Sequence, residues 1–224
     1  MKKMFPVTHL ACTIVCTAIL ACAPAAFASG GGSDASAVSL KSGEATIKAA
    51  ISGNDQFTAH NDNHHFNAFQ TGQTPTLTVV TCSDSRVHTH LFGMEPDNNI
   101  FMIRNIGNQI KNSEGSVDYG VRHLPTKILL IMGHSSCGAV KAAMGDYSSE
   151  TTGIKAELDT LKPVIAAGDK TGDMNGRWSK NVERNVDYQV KAAMDLYKEK
   201  IQAGELTVVG AVYDFNDLYG KGRG

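Results

Sequence analysis

Apolar residues gather along this chain in short runs, each bounded by turn-forming or charged positions. Thr76–Thr81, Asn99–Arg104, Lys127–Met132 and Leu206–Tyr213 have the length and branched apolar content of buried strands. Pro75 opens the first and Pro125 precedes the third. Between the runs the spacing turns helical. It predicts helices over residues 39–52 (through Ala45, Ile47, Ala50 and Ile51), Asn61–Phe69, Gly115–Leu124, Cys137–Met144, Ile154–Ala167 and Ser179–Ala203. Strands alternating with helices predict an α/β fold: a mainly parallel central β-sheet flanked by helices, with residues 39–52 as an N-terminal helical arm. Ligands of such sheets sit just beyond the carboxyl ends of the strands.

The front of the chain reads differently. Lys2 and Lys3 precede an apolar stretch from Leu10 to Ala21, and Ala26-Phe27-Ala28 has the small-x-small form of a cleavage site. Residues 1–28 are therefore expected to be a signal peptide, residues 29–37 a flexible linker, and residues 38–224 one catalytic domain. The product would be periplasmic or secreted. The rival reading is a lipid anchor at Cys22, in Ile19-Leu20-Ala21-Cys22. The 224 residues carry 21 Lys and Arg against 22 Asp and Glu. With no basic block or aromatic-basic interleaving, nucleic acid is not an expected partner.

Two of the 5 cysteines lie beyond the leader, Cys82 and Cys137. A disulfide is one reading of the pair in an exported protein. It accounts neither for His134, three residues before Cys137, nor for Asp84 and Arg86 beside Cys82. Both clusters directly follow predicted strands. Two thiolates and an imidazole make a Cys2His zinc set with a fourth position left open, the form of a catalytic site. Alternate residues of an extended segment share a face, so Cys82, Asp84 and Arg86 are expected to point together. Asp84 can then compete for the open position or orient a water there, held by a two-pronged pairing with Arg86. Cys137 would sit at a helix N-terminus, where free N–H groups favour a thiolate. Gly138 allows close backbone approach.

The chain resembles the β-class carbonic anhydrases. The likeness runs through Gly72-Gln73-x-Pro75, Cys82-Ser83-Asp84-Ser85-Arg86-Val87, Phe101-x-x-Arg104-Asn105-x-Gly107-Asn108, Gly133-His134-Ser135-x-Cys137-Gly138-Ala139 and Gly210-Ala211-Val212-Tyr213-Asp214. It implies one zinc ion per chain on Cys82, His134 and Cys137, with water or hydroxide as fourth ligand. It implies Asp84 as the water-orienting gate latched by Arg86, and reversible hydration of carbon dioxide to bicarbonate and a proton via zinc-bound hydroxide. Gln73 stands where plant-type, open-site members place a substrate-binding amide. Phe101, Ile106 and Tyr119 fall where they build an apolar wall; apart from the resemblance, the Gly138 N–H at the predicted helix start can donate to a substrate oxygen. The family also implies a homodimer or higher homo-oligomer, with N-terminal helices wrapping the partner.

Some positions depart from the family pattern. Asn98-Asn99 stands where members often carry Gly-Asp, and His88 and His90 follow Arg86, either exposed or relaying protons to buffer. Two other functions stay open on sequence: hydrolysis of carbonyl sulfide or carbon disulfide at the same zinc, and a non-enzymatic zinc-binding role.

Overall fold

The computed structural model describes residues 43–217. The expected signal peptide, the linker and Cys22 lie outside these residues. The described chain divides after Gln70.

The first unit contains helix α1, Gly43–His60, and a 3-10 turn at Asn63–Phe66. Helix α1 continues well past the predicted end at residue 52, and none of its side chains is buried. The helix expected over Asn61–Phe69 is reduced to that single turn, capped by Asp62, whose carboxylate accepts the His64 N–H at 2.8 Å.

The second unit is built on four parallel strands: β1 (Leu77–Cys82), β2 (Ile100–Asn105), β3 (Ile128–His134) and β4 (Thr207–Tyr213), in the order β2-β1-β3-β4. Each begins within a residue of its predicted start. In register, Cys82 lies beside Asn105, Thr81 beside Met132, and His134 beside Tyr213. Val79, Val80, Leu129 and Ile131 on the two inner strands are fully buried. Each such side chain contributes about 1.5–3 kcal/mol of hydrophobic burial.

The helices depart further from the pattern. The segment expected over Gly115–Leu124 is α2 (Glu114–Asp118) followed by a wider π-helical turn, Tyr119–His123. Helix α3 is Gly138–Ala143. The long helix expected over 154–167 is two, α4 (Thr152–Asp159) and α5 (Lys162–Ala166), because Pro163 suits a first turn and cannot continue a helix. The helix expected from Ser179 starts earlier, at Met174, where Asp173 caps it, and stops at Leu196; α6 is Met174–Leu196 and α7 is Lys198–Gln202.

Helix α6 packs on β3 and β4. It buries an apolar stripe of Trp178, Val182, Val186 and Ala193 and, beside it, a polar stripe of Asn181, Asn185 and Gln189. The close approach needs Gly133: a Cβ there would lie 2.8 Å from Val186 Cγ2. The polar stripe satisfies the irregular backbone after β2. Asn185 Nδ2 donates to the Gly107 carbonyl at 2.8 Å, and Gln189 Oε1 accepts the Ile110 N–H at 3.0 Å. Without these partners the buried loop would hold orphaned polar groups.

Candidate active site

The ends of the two inner strands converge. Cys82 is the last residue of β1 and His134 the last of β3, while Cys137 caps α3 two residues beyond Ser135. Ser136 takes a left-handed backbone, φ 56°, a conformation costly for a residue with a Cβ. This kink turns the chain sharply between the imidazole and the second thiol. The Cys82, His134 and Cys137 donor atoms all lie within 4.8 Å of one another, and all three residues are buried. Both cysteines are free thiols, which removes the disulfide reading.

These residues fit a zinc ion. Tetrahedral zinc with two sulfurs and one nitrogen needs donors about 3.5–3.8 Å apart. The His134 ring is fully buried, and its Nδ1–H donates to the Ser135 carbonyl at 2.9 Å. That bond fixes the tautomer and leaves Nε2 as a bare acceptor, with no hydrogen-bond partner. An orphaned buried nitrogen beside two thiols is the signature of a metal ligand. The two thiols are shifted in opposite directions. The Cys137 S–H pulls the Cys82 thiol down to about 4, helped by His134 and the Gly107 N–H and opposed by burial. The Cys137 thiol is pushed well above its usual range by the Cys82 sulfur and by burial, although the Val140 and Ala139 N–H groups of α3 work the other way.

Asp84 and Arg86 are brought together as expected, by a different device. The chain does not run on extended. It turns, with the Val87 N–H donating to the Asp84 carbonyl at 3.0 Å and the Arg86 N–H to Asp84 Oδ1 at 3.0 Å. Folded back, Arg86 grips the carboxylate with Nε on Oδ1 at 2.8 Å and Nη2 on Oδ2 at 2.7 Å. This two-pronged bond, ahead of the opposing effect of burial, holds the Asp84 carboxyl down to about 2. Oδ2 also faces the donors, 3.9 Å from His134 Nε2.

Three further residues hold this arrangement; Arg104 stands in the family-like motif that begins at Phe101, whereas Trp178 and Phe215 fall in none. Arg104 Nε donates to the Cys82 carbonyl at 3.1 Å and Nη2 to the Asp84 carbonyl at 2.7 Å, splinting the ligand to the gate. Trp178 Nε1 donates to the Cys137 carbonyl at 2.8 Å. Phe215, just past β4, lies against both His134 and Arg86.

The expected substrate contacts divide. Ile106 is near the donors, in the loop whose Gly107 N–H reaches Cys82, and packs beside Leu158 and Leu161. Gly107 takes φ +82°, which only glycine adopts cheaply. Gly138 opens α3, and a Cβ there would meet nothing within 4 Å. Phe101, Tyr119 and Gln73 lie apart from the cluster within one chain. Phe101 pairs in register with Thr78, four strand positions or about 13 Å before Cys82. Tyr119 sits with Phe101, ring centroids 5.9 Å apart, and is 47% exposed. Gln73 is exposed ahead of β1, and its neighbour Thr74 is tied to Asn98 at the start of β2 by a 2.6 Å bond. All three lie toward the amino ends of the strands, because a parallel sheet puts every strand start on one edge. His88 and His90 are exposed and stacked, 5.6 Å between centroids.

A carbonic anhydrase family model matches residues 77–221, which hold every donor described above. The fold superposes on a β-carbonic anhydrase of Coccomyxa in complex with acetazolamide, with a TM-score of 0.65 and 28% identity over 75% of this chain and 80% of that one. The chain belongs to the β-class carbonic anhydrases. Other carbonic anhydrases agree. Tetrameric β-carbonic anhydrases from Sordaria macrospora give a TM-score of 0.66 at 30% identity, over 75% of this chain and 92% of theirs. Carbonic anhydrase 2 of Mycobacterium tuberculosis is 28% identical over 186 residues, 77% of this chain and 89% of the relative. The parallel sheet flanked by helices is thus the expected carbonic anhydrase fold, and the chain is an enzyme of that class.

Proposed function

We propose that this enzyme reversibly hydrates carbon dioxide to bicarbonate and a proton, using one zinc ion held by Cys82, His134 and Cys137. The observation that carries the reading is the buried, unpartnered His134 Nε2 set within 4.8 Å of two free thiols, in a chain of this family. When bound, zinc supplies a Lewis acid that makes water nucleophilic near neutral pH.

The protein's own groups do the rest. Asp84 presents Oδ2 toward the donors and stays ionised, so it accepts a hydrogen bond from the attacking water and aims it. A carboxyl held near 2 is too weak a base to keep the proton at neutral pH. Asp84 therefore orients, and the proton passes on to solvent buffer. Arg86 keeps the carboxylate turned, and Arg104 keeps the backbone beneath it in place.

A homo-oligomer is part of the proposal. Gln73, Phe101 and Tyr119 line the amino-end edge of one chain, so only a neighbouring copy could present such residues to the donors of this one. Export is also proposed, on the pattern of residues 1–28. Sedimentation of the purified protein as a monomer alone would remove the first idea; retention of the chain in the cytoplasmic fraction, the second.

The deciding experiment is stopped-flow hydration of carbon dioxide on metal-analysed protein, run beside a sulfide-release assay on carbonyl sulfide and carbon disulfide. Expected are one zinc per chain and rapid hydration, both lost in H134A. Zinc-loaded protein that releases sulfide and leaves carbon dioxide untouched would move the substrate assignment.

A further inference from the structure

The latch on Asp84 has an unusual support. Arg86 is 44% exposed at its side chain, and an exposed ion pair alone holds a long, flexible side chain weakly. Its other hydrogen bond is a long one, 3.5 Å to the Ser136 carbonyl. Yet the guanidinium carbon lies 4.3 Å from the centroid of the Phe215 ring. That ring also stacks on the His134 imidazole, centroids 5.6 Å apart and planes inclined by 27°. Tyr213 meets it edge-on at 5.7 Å.

The ring is placed by backbone, not by chance packing. The Phe215 N–H donates to Ser135 Oγ at 3.0 Å, and the Ser135 N–H donates to the Tyr213 carbonyl at 3.0 Å. Asn216 Nδ2 donates to Ser136 Oγ. The segment after β4 is thus stitched to the turn that carries His134 and Cys137. An aromatic face under a guanidinium attracts it electrostatically, and the attraction grows where water is excluded.

We infer that Phe215 is a positioning residue that clamps the Arg86 guanidinium against the Asp84 carboxylate and couples this latch to the His134 ring. The inference rests on the gate reading of Asp84 and Arg86. Phe215 touches no reacting atom; it acts by keeping Arg86 Nε on Asp84 Oδ1.

The test is the solvent exchange rate of the Arg86 Nε–H, read by nitrogen-edited NMR on the zinc-loaded full chain. F215L keeps apolar bulk and removes the aromatic face; F215W keeps the face and changes the shape. Exchange in F215L is expected to rise about three- to tenfold, with F215W holding the wild-type rate. Equal rates in F215L and wild type overturn the clamp, as does F215W exchanging as fast as F215L. F215M repeats the comparison should F215L not fold. Turnover of D84N is measured alongside: unimpaired turnover there sinks the gate, an unmoved exchange rate sinks the clamp, and neither result implies the other.

Discussion

His134 is suited to the proposed ligand role by a single bond to its neighbour's carbonyl, which turns Nε2 into an acceptor with nothing to accept from. Asp84 is committed in the same way, by a guanidinium that leaves one oxygen facing the donors. D84N keeps the shape and removes the charge. Its turnover is expected to fall about 100-fold or more, because the water loses its orienting acceptor, while zinc content by metal analysis stays at the wild-type value. Turnover within twofold of wild type refutes the orienting role. At this scale the candidate ligands were legible because they lie in two compact clusters, each directly after an apolar run. The roles of Arg104, Trp178 and Phe215 were not, although Arg104 stands in a family-like motif. Arg104 and Trp178 act on backbone carbonyls and Phe215 through its ring face, each reaching a segment distant in sequence, where no local motif records the contact.

The elements that position these residues depend on close approach and on caps. G133A would drive a methyl into Val186, since the space for a Cβ ends 2.8 Å away. Overpacking of this kind costs about 1–3 kcal/mol, and V186A on the G133A background should recover part of it in a urea titration. No recovery would mean that α6 is not the obstacle. Asp173 caps α6 by accepting the Gly176 N–H at 2.9 Å, and that bond keeps its carboxyl below the usual range. A carboxyl lowered by folding stabilises the protein above its unfolded pKa, and the benefit is lost as pH falls below about 4. D173A should therefore melt below wild type at neutral pH, with the gap closing in acid; a gap that is constant with pH argues against the cap. The strands were readable from apolar runs alone. The helix bounds were not, because the Pro163 break and the Asp173 cap override the apolar spacing. The buried stripe of Asn181, Asn185 and Gln189 looks like a solvent face in sequence. It becomes intelligible only once the loop after β2 is seen to need partners.

For the molecule as a whole, the proposed metal and the fold would be linked. A zinc ion binding only the folded chain would stabilise it by mass action, about 4 kcal/mol when free zinc exceeds its Kd a thousandfold. Chelation should lower the melting temperature and speed alkylation of Cys82 and Cys137 by iodoacetamide, and added zinc should reverse both. Alkylation that proceeds equally fast with zinc present would place the ion elsewhere. The pocket wall was the part of the site least legible in sequence. Motif order says which residues belong together in a family, but not whether one copy of the chain can assemble them.

The sheet order β2-β1-β3-β4 puts the two donor-bearing strands on the inside. Both are braced by hydrogen-bonded neighbours on either hand, so the spacing of the metal's cage is inherited from the least deformable part of the molecule. The outer strands carry none of the three donors, so a small shift at either rim leaves the distances between those donors unchanged.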